Sequence, residues 1–263
     1  MTPKSTAFKR QLKQPRIAEI VADGLRQRIL SGELDDGAML PKQEELLAEF
    51  GVSPPSIREA LRILETEGLI TVQRGNVGGA VVHRPQAAKA AYMMGLVLQS
   101  RQVSLGVLVY AMRKLEPACA AECALRPDRH QTVLPALRAV LDKGLEVIDD
   151  ADAFIGTARR FHIELVAACG NEAMSLVVGA LESLWSAQVS TLARERHGSF
   201  SDKSVRQSMA DEHERLYRLI AEGDARGVEQ AMRDHYTGGS AEHGERQYAF
   251  GMDAIINAAA LDD

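Results

Sequence analysis

The sequence predicts a mostly α-helical protein in two parts: three helices with a β-hairpin, then an antiparallel bundle made of helices alone. Apolar residues recur every three or four positions along most of the chain, the period of a helix with one buried side. That period gives way once, between Leu69 and Val82, to a β-rich stretch broken by glycines. From Gln86 onward there is no strand signal.

The first helix is expected over Arg16–Ser31, where Ile17, Val21, Leu25 and Ile29 form a four-residue stripe. Ser31-Gly32 ends it, with Gly32 suited to the left-handed cap. A loop, ELDDGAMLP, follows. Lys42–Phe50 reads as a short helix buried through Leu46, Leu47 and Phe50. Gly51-Val52 makes a tight turn, Ser53 stands where an N-cap belongs, and Pro54 occupies the first helical position. The third helix runs to about Glu67 on Ile57, Ala60, Leu61 and Leu64. Leu69–Val72 and Ala80–Val82 then form a hairpin around the loop Arg74–Gly79. Two helices joined by a short glycine-bearing turn, followed by a hairpin, make a winged helix-turn-helix. Its third helix suits the major groove of DNA, and its wing suits the backbone or minor groove.

Charge supports that reading. The net charge is −5. Residues 1–85 nevertheless carry 12 Lys/Arg against 11 Asp/Glu, and the first 16 carry five positive charges and no acid. Such an arm can contact phosphates. The expected organisation is a basic arm (1–14), a winged helix-turn-helix (15–84), a linker helix (85–102), an all-α domain for effector binding and dimerisation (103–241) and a tail (242–263). The tail reads as a short helix or a frayed end.

No apolar run reaches the roughly 18 residues that a membrane span requires. The basic start lacks an apolar stretch behind it, so no secretory signal is expected. Cys119, Cys123 and Cys169 show no CxxC spacing, and their odd number points to reduced thiols in the cytoplasm. There is no HExxH, P-loop, GxSxG or dinucleotide fingerprint, so an enzyme is not expected.

In the second part, helices are expected near 86–99, 103–125, 128–149, 151–168, 172–197, 205–222 and 224–241. Leu105, Leu108, Met112, Leu115 and Cys119 form one stripe. Gly170-Asn171 reads as a C-cap followed by an N-cap. Three histidines lie on apolar faces. His162 sits between Ala158 and Val166, His213 heads Leu216, Tyr217 and Ile220, and His235 follows Val228, Ala231 and Met232. Buried imidazole needs partners for its nitrogens. The residues leave two readings open: three core histidines satisfied separately, or one shared ion such as zinc or nickel.

The run from GLRQRILSGEL to ITVQRGNVGGAVV resembles the DNA-binding domain of the GntR superfamily, on the ILSGEL, LP, FGVS, REAL and QRG elements. The resemblance implies DNA contacts at Ser53, Ser56 and Arg58 of the third helix and at Arg74 and Gly75 of the wing. Arg58 could grip guanine through a bidentate pair. Lys42, Gln43 and Glu44 at the start of the second helix, with Arg62, complete the candidate set. The family often has arginine where this chain has Glu44 and Pro54, which implies an operator unlike the family's best-known sites.

The pieces RKLEPACAAECA, ARRFHIELVAACGN and DEHERLYRLIAEGDARGVEQAMRDHY resemble the FCD ligand-binding domain of the FadR branch. That implies a divalent metal on His162, His213 and His235, with a carboxylate effector completing its coordination beside Arg113. The family's aspartate ligand is replaced by Ala158, which weakens metal binding. Arg159 adds positive charge, and Asn171 joins Arg113 and Arg159 as an effector-binding candidate. A metal-free pocket for a larger anion, such as an acyl-CoA, is the alternative. Arg113 could instead pair with Glu116, three residues on. The whole implies a homodimer on a pseudo-palindromic operator, repressing until a small organic acid binds. A DNA-binding protein of architectural type, without an effector, is the remaining rival.

Overall fold

The computed structural model describes residues 16–73, 79–195, 202–237 and 252–261. The chain divides into two compact units, one ending at Gln86 and one beginning at Ala87.

In the first unit, α1 (Ile17–Ser31), α2 (Gln43–Phe50) and α3 (Pro54–Thr66) precede the strands β1 (Ile70–Gln73) and β2 (Gly79–Val82). Val21, Leu25 and Ile29 of α1 meet Leu46 of α2, Ile57, Ala60 and Leu64 of α3, and Ile70 and Val82 of the hairpin in one core. Ile17, expected in the α1 stripe, is exposed; Ala18 and Ala22 complete the buried face instead. Leu47, Phe50 and Leu61 are half-buried. Gly32 closes α1 at φ 83°, a left-handed value that favours glycine.

β1 and β2 pair antiparallel, with Ile70 opposite Val82 and Gln73 opposite Gly79. The segment expected as plain loop adds a third edge. Leu40 N–H donates to the Ala80 carbonyl and Val82 N–H to the Ala38 carbonyl, each at 2.8 Å. Across the unit, Arg26 of α1 grips Glu67 at the end of α3 through Nε (2.8 Å) and Nη2 (2.6 Å).

The second unit holds α4 (Ala87–Ser100), α5 (Leu105–Leu125), α6 (Arg129–Thr132), α7 (Leu134–Glu146), α8 (Ala151–Ala167), α9 (Glu172–Glu195), α10 (Lys203–Glu222) and α11 (Ala225–Thr237). α5 is central, packing against α8, α9, α10 and α11. The single helix expected over 128–149 is two. Pro135 lacks the N–H that would continue the ladder to Gln131, so the chain breaks at Val133 and restarts. Asp150 caps α8 by accepting from Ala153 N–H at 3.0 Å, and Asp202 caps α10 through Ser204 N–H at 2.8 Å.

The segment expected as a linker forms α4, which packs on α9 inside this unit. At the far end of the chain, Ile256 is buried in the same core, and its N–H donates to the Val103 carbonyl at 3.0 Å. A 3-10 turn follows at Ala258–Leu261. The three cysteines are buried free thiols. Burial pushes the Cys123 thiol up to about 12, which keeps it unreactive. Among the described residues no helix is long and apolar enough to cross a membrane.

Candidate functional site

Two sites stand out, one in each unit. In the first, Gly51 at φ 62° turns the chain between α2 and α3, and its N–H donates to the Leu47 carbonyl at 3.0 Å. Ser53 takes the N-cap position of α3, followed by Pro54. Its hydroxyl does not cap the backbone; it stands 3.1 Å from the Ser56 hydroxyl. Lys42, Gln43 and Glu44 are exposed at the start of α2, while Ser53 and Arg58 are exposed along α3 and Ser56 is half-buried. Arg62 is also exposed, but Glu59 holds it with two bonds, from Nε at 2.9 Å and Nη2 at 2.6 Å. That pairing lowers the Glu59 carboxyl below its ordinary range. Glu65 accepts from Val72 N–H at 3.2 Å, fixing β1 to α3. Arg74 and Gly75 of the wing tip lie outside the described residues.

In the second unit, α8, α10 and α11 bring His162, His213 and His235 together. His162 Nε2 stands 3.2 Å from His213 Nε2 and 3.3 Å from His235 Nε2. The outer nitrogens of His162 and His235 are occupied. His162 Nδ1 meets Glu116 Oε1 at 2.6 Å, and His235 Nδ1 meets Glu212 Oε2 at 2.6 Å. His213 stacks on Phe161, with ring centroids 4.5 Å apart. Burial, and then the neighbouring imidazoles, lower the His213 pKa well below the ordinary value, and burial lowers that of His162. Both therefore stand neutral at pH 7.

The donor chemistry follows from those bonds. An Nδ1 that donates to a carboxylate leaves Nε2 of a neutral ring as a bare lone pair. On His162 that lone pair faces the Nε2 atoms of His213 and His235 at 3.2 and 3.3 Å. In a tetrahedral zinc site with Zn–N of about 2.0–2.1 Å, nitrogens stand about 3.3–3.4 Å apart. The two separations from His162 Nε2 match that spacing, so the cluster could hold one divalent ion. Ala158, one turn before His162, is buried and contributes no ligand.

Behind the histidines lies a buried acidic pair. The Tyr236 hydroxyl donates to Glu116 and, at 3.1 Å, to Glu182. Burial raises the pKa of both carboxyls. The charge of Glu116 raises Glu182 further, so Glu182 keeps the shared proton. Sequence reasoning missed Glu182, Tyr236 and Glu212, and it considered Glu116 only as an alternative partner for Arg113. Glu116 instead turns inward to His162. The available signal was its register: four residues after Met112 and three before Cys119, both buried. Leu115, expected in that stripe, is exposed.

The effector candidates are placed differently from one another. Arg113 on α5 is half-buried and makes no hydrogen bond or ion pair among the described residues. Arg159 on α8 spends N–H groups on the carbonyls of Ser186 (2.7 Å) and Ile155 (3.3 Å). Asn171 is an exposed N-cap of α9, its side-chain oxygen accepting from Ala173 and Met174 N–H, each at 3.1 Å.

Known proteins agree with this architecture. Residues 17–81 match the family described as "Bacterial regulatory proteins, gntR family", and residues 108–238 match the FCD domain. The HTH-type transcriptional repressor NanR of Klebsiella aerogenes is 28% identical over 233 residues, covering 86% of this chain and 85% of that protein. The NanR of Salmonella newport is 28% identical over 237 residues, covering 89% and 87%. The solved structure of Streptococcus agalactiae GntR shares the fold, with a TM-score of 0.62 and 22% identity over 83% of this chain and 96% of that one. The chain belongs to the gntR family of bacterial transcriptional regulators, a family of DNA-binding proteins rather than enzymes, and carries an FCD domain.

Proposed function

We propose that this regulator is a homodimeric repressor of the FadR branch. Its FCD domain binds a small carboxylate through a divalent ion, zinc or nickel, on His162, His213 and His235. The observation that carries the reading is the meeting of the Nε2 atoms 3.2 and 3.3 Å apart while the outer nitrogens of His162 and His235 are bound to carboxylates. The NanR relatives are named as repressors, which supports the sign of regulation. A dimer on a pseudo-palindrome would set two recognition helices about 34–36 Å apart, one turn of DNA. In the cytoplasm, where its DNA is, Arg58 and the α3 start read the operator. Effector binding changes DNA affinity only by the effector's differential affinity for the DNA-binding and released states.

The ion supplies a Lewis-acidic position for the effector's carboxylate. Around it, the histidines fix position and Arg113 offers a guanidinium that has no partner among the described residues. Metal analysis of the purified chain beside the triple His→Ala variant tests the ion: about one zinc or nickel per chain is expected, and none in the variant. A thermal-shift screen of organic acids, with and without chelator, tests the effector. A metal-free sensor of a larger anion is the second reading, favoured by Arg113, which has no partner among the described residues. It requires effector binding that chelation leaves intact.

A further inference from the structure

The converging atoms at the histidine cluster are all imidazole nitrogens, with no carboxylate among them. An ion held there gains no negative charge from its direct ligands. The charge stands one bond further out. Glu116 sits behind His162 and Glu212 behind His235, each 2.6 Å from Nδ1.

We infer that Glu116 and Glu212 are the positioning residues that make this three-histidine cluster a cation site. The inference rests on the metal reading above. Each carboxylate holds its imidazole in the tautomer with Nε2 free, fixes the ring plane, and makes the ring a stronger donor to the ion. Both carboxyls stand directly behind rings that would face the ion. They come from α5 and α10, whereas the rings they orient stand on α8 and α11, so four helices are tied to one ion. The two differ in setting. Glu116 is fully buried and further fixed by the Tyr236 hydroxyl, while the Glu212 side chain is 28% exposed. His213 has Phe161 stacked on its face instead.

The experiment is zinc competition against a chromophoric chelator, on the full chain. Glu212→Gln is the primary variant, because its partial exposure spares the fold. Glu116→Gln is the second, with the melting curve of the metal-free protein checked for both. Glu214→Gln is the control: it sits on the same helix and makes the same change in charge, but its carboxylate pairs with Arg138 at 2.8 Å. The expected result is a loss of zinc affinity of roughly 10–100-fold in Glu212→Gln and in Glu116→Gln. Glu214→Gln should stay within about twofold of the parent chain, because its carboxylate is engaged by Arg138 and not by a histidine. If the parent chain binds zinc and Glu212→Gln binds it equally well, this inference fails while the metal reading stands. Equal weakening in Glu212→Gln and Glu214→Gln also overturns it, since that is a general charge effect. A parent chain that takes up no zinc overturns both.

Discussion

The Phe161 ring lies nearly parallel to the His213 imidazole, its plane 14° away and its centroid at 4.5 Å. Phe161 is fully buried and next in sequence to His162, so one aromatic side chain supports two of the three histidines. Phe161→Ala should destabilise the second unit by about 3–5 kcal/mol through the cavity it leaves. Phe161→Leu keeps most of the volume and should cost under about 2 kcal/mol. It should still weaken zinc binding, because His213 loses the surface that sets its plane. Denaturant unfolding and metal titration of the two variants separate these effects.

Arg58 and Arg62 lie one turn apart on α3, and among the described residues only Arg62 is held by a neighbour. A guanidinium free to reach a guanine edge contributes about 1–3 kcal/mol of discrimination. Arg58→Ala should therefore weaken binding to the selected operator by that amount and relax preference at one base pair. Arg62→Ala should cost less and affect all sequences alike, since Glu59 already takes two of its donors. Fluorescence anisotropy against cognate and scrambled duplexes gives both numbers. An Arg62→Ala loss larger and more sequence-selective than that of Arg58→Ala would reverse the assignment.

Glu182 is protonated in the folded protein because burial and Glu116 raise its pKa well above the ordinary range. In the unfolded chain it titrates near the usual value of about 4.3. Folding thus takes up a proton between those two values. The stabilisation is present at low pH and is lost as pH rises through the folded-state pKa. Glu182→Gln cannot ionise and can still hydrogen-bond Tyr236. Its melting temperature, compared with that of the parent chain, should rise progressively as pH climbs above the ordinary carboxylate range. A difference that stays constant as pH climbs would show that Glu182 is ionised in the folded state.

Gly95 marks the closest approach of α4 to its neighbours. A Cβ there would stand 2.8 Å from Leu184 Cδ2 and 3.1 Å from Ala258 Cβ. Alanine gains about 0.8–1.0 kcal/mol in helix propensity over glycine. Overpacking costs about 1–3 kcal/mol. The balance should be a net loss, seen as a lower melting temperature. A gain would mean that α4 shifts freely on α9.

The sequence by itself determined what depends on near neighbours. The helices and the hairpin, the left-handed glycines at 32 and 51, and the Gly170-Asn171 cap sequence follow from three- and four-residue periods and local backbone preference. So does the placement of all three histidines on apolar faces, with the family resemblance binding them into one set. Tertiary structure decided what joins distant positions. It turned Glu116 toward His162 rather than Arg113, paired Glu212 with His235, and returned Ile256 to the core beside Val103. It also chose Ala18 over Ile17 for the buried side of α1. The reason is physical: a helical period fixes which side chains share a face, whereas the nitrogen–carboxylate partnerships depend on how four separate helices are set against one another.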